Sequence, residues 1–136
     1  MNIRLWKPSN KTKKNSNLFK FEKFISERFN KNFNENFKKI HNWSVKNQGD
    51  FWSSVWDFSK VKGIKSNTKV KKSKKFYKNT FLPNSRLNFC ENLLSKNTKE
   101  KAITFISENG YREIRNWNEL NKNVKNISNN FKKLNI

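Results

Sequence analysis

The sequence contains few of the residues on which several kinds of functional site depend. Its single cysteine, Cys90, excludes an internal disulfide, and no cysteine and histidine set has the spacing of metal ligands. The three glycines are isolated from one another, so there is no glycine-rich loop to cradle a phosphate. No hydrophobic run approaches the length of a signal peptide core or a membrane span. We therefore expect a soluble protein in a reducing, cytoplasmic setting.

Candidate catalytic side chains are equally scarce. The lone histidine, His41, falls on a predicted helix and is interpreted as a structural or surface residue. Cys90 has no histidine near it in the sequence and is predicted to be a small buried side chain. The ten acidic residues include no convincing close pair for general acid–base chemistry. We assign no catalytic, cofactor-binding or metal-binding residue.

Positive charge is abundant, with 31 Lys and Arg against 10 Asp and Glu and a net charge of +21. Such a charge favours nucleic acid, acidic protein or anionic lipid as a partner. However, Lys, Asn, Ile and Phe are enriched together, and AT-rich codons for all four make compositional drift the preferred explanation. The lysine-rich segment 64–79 includes Phe76 and Tyr77, which could stack on bases, but it lacks periodicity and is predicted to be a solvated loop.

Aromatic residues must supply much of the core, because only 33% of the residues are hydrophobic and the mean hydropathy is −1.06. The stretch from Trp43 to Phe58 carries three of the five tryptophans and is predicted to be the packing nucleus. Within it, Gly49 supplies a permissive backbone for a turn, and Asp50 can cap the following helix. Apolar spacing predicts helices over 17–29, over 34–45 and from Asp50 onward.

Less regular segments surround those helices. Residues 1–10 are predicted to be an extended lead, 11–17 a polar, basic loop or frayed turn, and 81–85 a turn. A short helix is predicted over 86–95, and its inward residues are Leu87, Cys90, Leu93 and Leu94.

The last third of the chain has a different pattern. Residues 102–106 and 111–115 are strand-like, and Asn109-Gly110 between them predicts a hairpin. Asn116, with Glu119 three residues later, predicts a capped helix. The apolar stripe of that helix consists of Leu120, Val124, Ile127, Phe131 and Leu134. A hairpin and a strongly amphipathic helix need a larger sheet to cover them, so the chain is expected to be part of something longer.

Four stretches carry a resemblance to a known family. They are Leu5-Trp6-Lys7-Pro8-Ser9, Trp43-Ser44-Val45, Phe51 through Phe58, and Pro83 through Leu94. The last three are similar to the W-S-V, F-W-x-x-V-W-D-F and P-G-A-x-L-N-F-A-E-N-L-L stretches of the acetoacetyl-CoA synthetases, members of the AMP-forming acyl-CoA synthetase and adenylating-enzyme superfamily. The chain departs from the family at Phe81-Leu82, where Trp-Phe is usual, at Asn84-Ser85, which replaces Gly-Ala, and at Cys90, which replaces Ala. Losing the glycine at position 84 is expected to alter the turn.

The resemblance implies an α+β fold class, with an N-terminal helical cap followed by a β-hairpin and an amphipathic helix. Residues 1–63 would form the helical cap region, 64–80 a basic loop, and 81–136 the truncated start of a larger α/β adenylating-enzyme N-terminal domain. In this family acetoacetate and ATP form an acyl-adenylate with release of pyrophosphate, and CoA then displaces AMP. ATP, Mg and CoA are thus implied for the complete enzyme, and none is expected to bind this segment.

The resulting prediction is an N-terminal fragment of an acetoacetate–CoA ligase, inactive alone. Its partner would be the remainder of the synthetase, from the same gene or a downstream frame. One alternative is an accessory subunit that completes a separately encoded synthetase core. The least favoured alternative is a small basic nucleic-acid-binding module, because we expect no nucleic-acid binding beyond non-specific charge attraction and no membrane partner.

Overall fold

The computed structural model of the protein describes residues 5–136, and within them the chain forms six α-helices and two antiparallel strand pairs. This confirms the predicted α+β class. Contacts divide the chain into two compact units, Met1–Arg86 and Leu87–Ile136. The predicted division at residues 63 and 80 stays a prediction. The first four residues of the predicted lead lie outside the described residues. No helix over 5–136 is both long enough and apolar enough to span a bilayer.

Two serines organise the start of the first unit. Helix α1 spans Asn10–Asn15, because the Ser9 side chain accepts the backbone N–H of Thr12 at 3.1 Å and caps it. The prediction of a loop or frayed turn over 11–17 is therefore wrong. Ser16 follows α1 and caps α2, its Oγ accepting the N–H of Phe19 at 3.2 Å. Helix α2 spans Asn17–Phe29, as predicted.

Helix α3 spans Phe37–Lys46 and begins later than predicted. The reason is that Asn34 and Glu35 take left-handed backbone angles, with φ of 58° and 53°, which a helix cannot include. The Glu22 side chain stabilises the connection between α2 and α3 by accepting the backbone N–H of Glu35 at 2.7 Å. Asn36 then caps α3 through the N–H of Lys39, at 3.3 Å.

Helix α4 spans Gln48–Phe58, and the chain turns between α3 and α4 at Asn47. The Asn47 amide donates to the carbonyl of Trp43 at 3.0 Å. Gly49 and Asp50 both lie inside the first turn of α4, and Gly49 has no positive φ. The predicted roles of Gly49 as the turn residue and of Asp50 as the cap are therefore wrong.

The core of the first unit is largely aromatic, as predicted. Phe21, Ile25, Phe33, Ile40 and Trp43 are buried, and five further apolar residues pack against them: Phe24, Phe29, Phe51, Val55 and Phe58. The rings meet edge-on, tilted or, for Phe21 and Phe24, stacked; the centroids of Phe21 and Phe58, which meet edge to face, are 5.2 Å apart. Of the three tryptophans in the predicted nucleus, only Trp43 is buried. Trp52, by contrast, is 42% exposed.

The basic segment is more ordered than a solvated loop. Strands β1 (Val70–Lys71) and β2 (Thr80–Phe81) pair antiparallel, with a 3-10 turn at Phe76–Lys78 between them. The turn after β2 includes Asn84, where the family resemblance has glycine. Asn84 adopts a φ of 66°, and asparagine is among the non-glycine residues that tolerate that region. The expected alteration of this turn relative to the family stays a prediction.

The second unit contains α5, a hairpin and α6. Helix α5 spans only Phe89–Leu93, shorter than predicted, and no residue over 87–136 is buried. The predicted burial of Leu87, Cys90 and Leu93 is therefore wrong, since all three are exposed. A five-residue helix has no apolar layer to pack against within this unit.

The hairpin and the last helix follow the sequence closely. Strands β3 (Lys101–Ile106) and β4 (Arg112–Asn116) pair antiparallel, and Gly110 in their turn has a φ of 82°. Helix α6 spans Trp117–Lys133. Its capping box is complete, because Asn116 and Glu119 exchange side-chain to backbone hydrogen bonds, each of 2.9 Å. These predictions are confirmed.

Candidate functional site

The stretch with the most specific motif, Phe51 through Phe58, forms most of α4 and connects the helical core to the basic segment. Its small serines make this possible. Ser54 is fully buried and its hydroxyl donates to the carbonyl of Asp50 at 2.7 Å. Ser53 is also buried, and its carbonyl accepts a 3.0 Å hydrogen bond from the ammonium of Lys65. Lys65 of the basic segment thus binds to the motif helix, α4.

Asp57 is the electrostatic centre of this contact. Its Oδ1 lies 2.7 Å from Lys65 Nζ and its Oδ2 lies 2.5 Å from Arg28 Nη1, which reaches it from α2. Partial burial raises the pKa of Asp57, but hydrogen bonds and charge from Lys65 and Arg28 outweigh burial, and the pKa lies below its ordinary value. An ionised Asp57 with two cationic partners holds structure together and is a poor proton donor or acceptor near neutral pH.

Gly49 brings the basic segment still closer to α4. A Cβ built on Gly49 would stand 2.8 Å from the Cβ of Lys69 and 3.3 Å from Val70 Cγ1. Lys69 is held there by an ion pair, its Nζ 2.5 Å from Asp50 Oδ1. The sequence pattern did not predict this role of Gly49. A glycine inside a helix, where it lowers stability, could have indicated a close backbone approach.

Trp52 completes the connection. Its ring centroid lies 5.6 Å from that of Phe81 on β2 and 5.2 Å from that of Phe51. The half-exposed tryptophan therefore packs on the small strand pair rather than in the core. The contacts around α4 hold the basic segment in place against this helix. They bring together no nucleophile and base.

The one histidine and the one cysteine fall in different compact units. His41 is exposed on α3 beside the ring of Phe37, with centroids 6.2 Å apart, and Cys90 is exposed in the other unit. Over residues 5–136 no three His, Cys, Asp or Glu side chains assemble into a set that could hold a metal ion. The three glycines lie in a helix, a loop and a hairpin turn. These residues do not fit Mg, and they form no phosphate cradle for ATP or CoA.

One polar cluster on the hairpin is chemically self-contained. The Tyr111 hydroxyl donates to Glu113 Oε2 at 3.1 Å, and Arg115 donates to Glu113 Oε1 at 2.8 Å. Arg115 and then Tyr111 lower the pKa of Glu113, and the hydrogen bond with Glu113 raises the pKa of Tyr111. Because the three side chains satisfy one another on an exposed strand, they leave no free group poised for catalysis.

An open apolar groove of ≈ 380 Å³ lies on the helices of the first unit. Leu18 and Phe37 flank it and are 45% and 63% exposed. Its other lining residues are Asn17, Phe21, Ile40, His41, Ser44, Phe51, Val55 and Phe58. The lining is almost entirely apolar, which suits the side chains of a packed polypeptide better than a nucleotide.

Comparisons with known proteins give one consistent family. The acetoacetyl-coenzyme A synthetase of Rhizobium meliloti (strain 1021) is 33% identical over 116 residues, which cover 85% of this chain and 18% of that protein. The acetoacetyl-CoA synthetase of Macaca fascicularis is 27% identical over 112 residues, 81% of this chain and 16% of that protein. Malonamoyl-CoA synthetase vrtB of Penicillium aethiopicum is 24% identical over 140 residues, 97% of this chain and 19% of that protein. No family model and no solved structure matches the chain.

The chain is therefore related to the acetoacetyl-CoA synthetases and through them to the AMP-forming acyl-CoA synthetases, and the predicted resemblance is confirmed. It spans less than a fifth of the length of these relatives.

Proposed function

We propose that this chain is the N-terminal segment of an AMP-forming ligase that joins acetoacetate to CoA. The observation that carries the proposal is the 33% identity to the Rhizobium meliloti synthetase over 85% of the chain. In the complete enzyme, ATP and acetoacetate would give acetoacetyl-adenylate and pyrophosphate, and the CoA thiol would then displace AMP to form acetoacetyl-CoA. The segment itself contributes scaffold, and it is inactive alone.

The arrangement around α4 supports a scaffolding role. The motif residues hold the basic segment against the helical core through the carbonyl of Ser53 and the carboxylate of Asp57. No described residue has the setting of a catalytic group, and the residues that would hold ATP, Mg and CoA lie elsewhere in the complete ligase. A reducing, cytoplasmic setting remains part of the proposal and rests on the single cysteine.

The proposed substrate class rests on the two acyl groups in the relatives' names, acetoacetyl and malonamoyl. Acetoacetate and malonamate are both short acids with a carbonyl group one carbon removed from the carboxylate, and they differ in a methyl against an amino group. We therefore assign a short 3-oxo or 3-amide acid, acetoacetate first. In this proposal the acid-binding pocket lies in the rest of the enzyme, which discriminates between the two acids.

A chimera tests the proposal. The matching stretch of the Rhizobium meliloti synthetase is replaced by this chain, and AMP formation is measured with ATP, CoA and acetoacetate or malonamate. We expect acetoacetate- and CoA-dependent AMP release, with the parent enzyme's preference between the two acids unchanged. A chimera that folds but forms no AMP would show that the chain cannot serve in such a ligase.

The same proteins distinguish the accessory-subunit alternative from the proposed function. This chain and the Rhizobium meliloti synthetase lacking its matching stretch are produced as two polypeptides and mixed. Activity restored in this mixture would favour a separate subunit, whereas activity restored only in the fused chimera favours a segment of one polypeptide. This chain alone serves as the control and is expected to release no AMP.

A further inference from the structure

The second unit presents apolar residues that nothing within the unit covers. On α6 the exposed fraction is 55% for Ile127, 50% for Phe131 and 67% for Leu134. The first two residues of the same stripe, Leu120 and Val124, are half-buried. Helix α6 packs against β3 and β4, but 17 residues of helix are about 25 Å long and extend past a short hairpin. The stripe is therefore open over its second half.

The hairpin carries apolar residues on both of its faces, opposite charged or polar ones. Directly opposite residues of an antiparallel pair share a face, so Thr104 and Ile114 lie on one face and Ile103 and Arg115 on the other. Ile103 is 48% exposed and Ile114 is 41% exposed. One helix can cover only one face of a sheet. Strands that are apolar on both faces are typical of sheets with helices on both sides.

These residues define the open apolar surface: Ile103, Phe105, Ile106, Ile114, Ile127, Phe131 and Leu134. We propose that the open apolar surface is the docking surface for the remaining body of the ligase, which would add strands beside β3 or β4 and a helical layer on the uncovered face. This inference rests on the proposed function and names the part of the chain that binds the rest of the enzyme.

Charge supports a protein body as the occupant. Residues 1–86 hold 22 of the 31 basic residues, and residues 87–136 hold nine basic and five acidic ones. The unit with the open apolar surface is thus the less basic of the two, and its apolar groups offer nothing to a phosphate backbone. The relatives are also more than five times as long as the stretch they share with this chain, which provides an occupant of sufficient size.

A second copy of this chain fits the surface less well. The stripe from Leu120 to Leu134 has the alternating spacing of four and three residues that a coiled coil uses, but it covers only two heptads. Stable coiled coils need about three to four heptads. Pairing two α6 helices would also leave the second face of each hairpin exposed.

The chimera described above, with this chain fused into the Rhizobium meliloti synthetase, tests the surface. Phe131→Asp places a carboxylate where the proposal requires a buried apolar contact, and Asn129→Asp places the same charge on the opposite side of α6. We expect Phe131→Asp to lower AMP formation about tenfold or more and to lower Tm, because an unpaired buried charge is strongly destabilising. Asn129→Asp is expected to stay within about twofold of the chimera.

The results separate this inference from the proposed function. If the chimera is active and Phe131→Asp behaves like Asn129→Asp, the docking surface is refuted while the proposed function stands. If the chimera folds without activity, the proposed function fails. Phe76→Asp is a second control, since Phe76 is 85% exposed and lies outside the open apolar surface.

The isolated chain of 136 residues provides a test that does not depend on the chimera's folding. We expect amide hydrogens of α6 beyond Ile127 to exchange much faster than those of α2, because the open half of the stripe is uncovered. Equal protection in both helices would overturn the proposal. Sedimentation that reveals a stable dimer, lost in Phe131→Asp, would also overturn it by assigning the surface to a second copy.

Discussion

Because Lys69 lies so close to α4, we expect replacing Gly49 by alanine to destabilise the protein, the opposite of the usual effect of this substitution in a helix. Replacing glycine by alanine inside a helix normally stabilises a protein by about 1 kcal/mol, because alanine loses less backbone entropy on folding. At Gly49 the new methyl group would lie 2.8 Å from Lys69 Cβ and 3.3 Å from Val70 Cγ1. Overpacking of this kind costs about 1–3 kcal/mol. We therefore expect Gly49→Ala to lower the free energy of unfolding by about 1 kcal/mol.

Lys69 cannot easily yield to the methyl group. The obstructing atom is its Cβ, next to the backbone, and not the flexible end of the side chain. Its carbonyl accepts the N–H of Leu82 at 3.0 Å, and its ammonium pairs with Asp50. Movement of Lys69 would disturb both contacts and the adjoining β1–β2 pair, which is why the clash outweighs the gain in helix propensity.

A double-mutant cycle isolates the clash from the ion pair. Lys69→Ala removes the ion pair with Asp50 but retains the Cβ, whereas Lys69→Gly removes both. Urea unfolding followed by tryptophan fluorescence should show Gly49→Ala destabilising in the parent and in Lys69→Ala, and neutral or stabilising in Lys69→Gly. If Gly49→Ala stabilises the parent chain, or costs as much in Lys69→Gly as in Lys69→Ala, the close approach is not what selects glycine.

Two further predictions concern Asp57 and the start of α6. Asp57→Asn should lower the free energy of unfolding at pH 7 by about 1 kcal/mol, because Lys65 and Arg28 lose a partly exposed carboxylate. Since the folded pKa of Asp57 is lowered, its contribution is present above the unfolded pKa of about 3.9 and is lost as pH falls through the folded pKa. The difference between parent and variant in urea midpoint should therefore shrink toward zero below about pH 4, and a constant difference would contradict this role. Asn116→Ala removes the capping box and should cost about 1 kcal/mol, seen as lost helical circular dichroism, while Asn129→Ala in the middle of α6 should cause no such loss.

Elements whose causes are local could be predicted from the amino-acid sequence. Helix α2 could be predicted to its terminal residues, because its apolar spacing and the cap at Ser16 lie within a few residues of one another. The hairpin at Gly110 and the capping box of Asn116 were predictable for the same reason. The family resemblance also followed from short stretches of sequence, and the related synthetases confirm it.

Features that depend on distant parts of the chain are evident only in the folded protein. Asp57 meets Arg28 and Lys65 across 29 and 8 residues, and Gly49 meets Lys69 across the rest of α4 and the irregular backbone that follows it. No local pattern contains such contacts, so sequence reasoning assigned Gly49 to a turn. The burial predicted for Cys90 is wrong for the same reason, because burial depends on which surfaces other segments cover, and no segment of residues 87–136 covers Cys90.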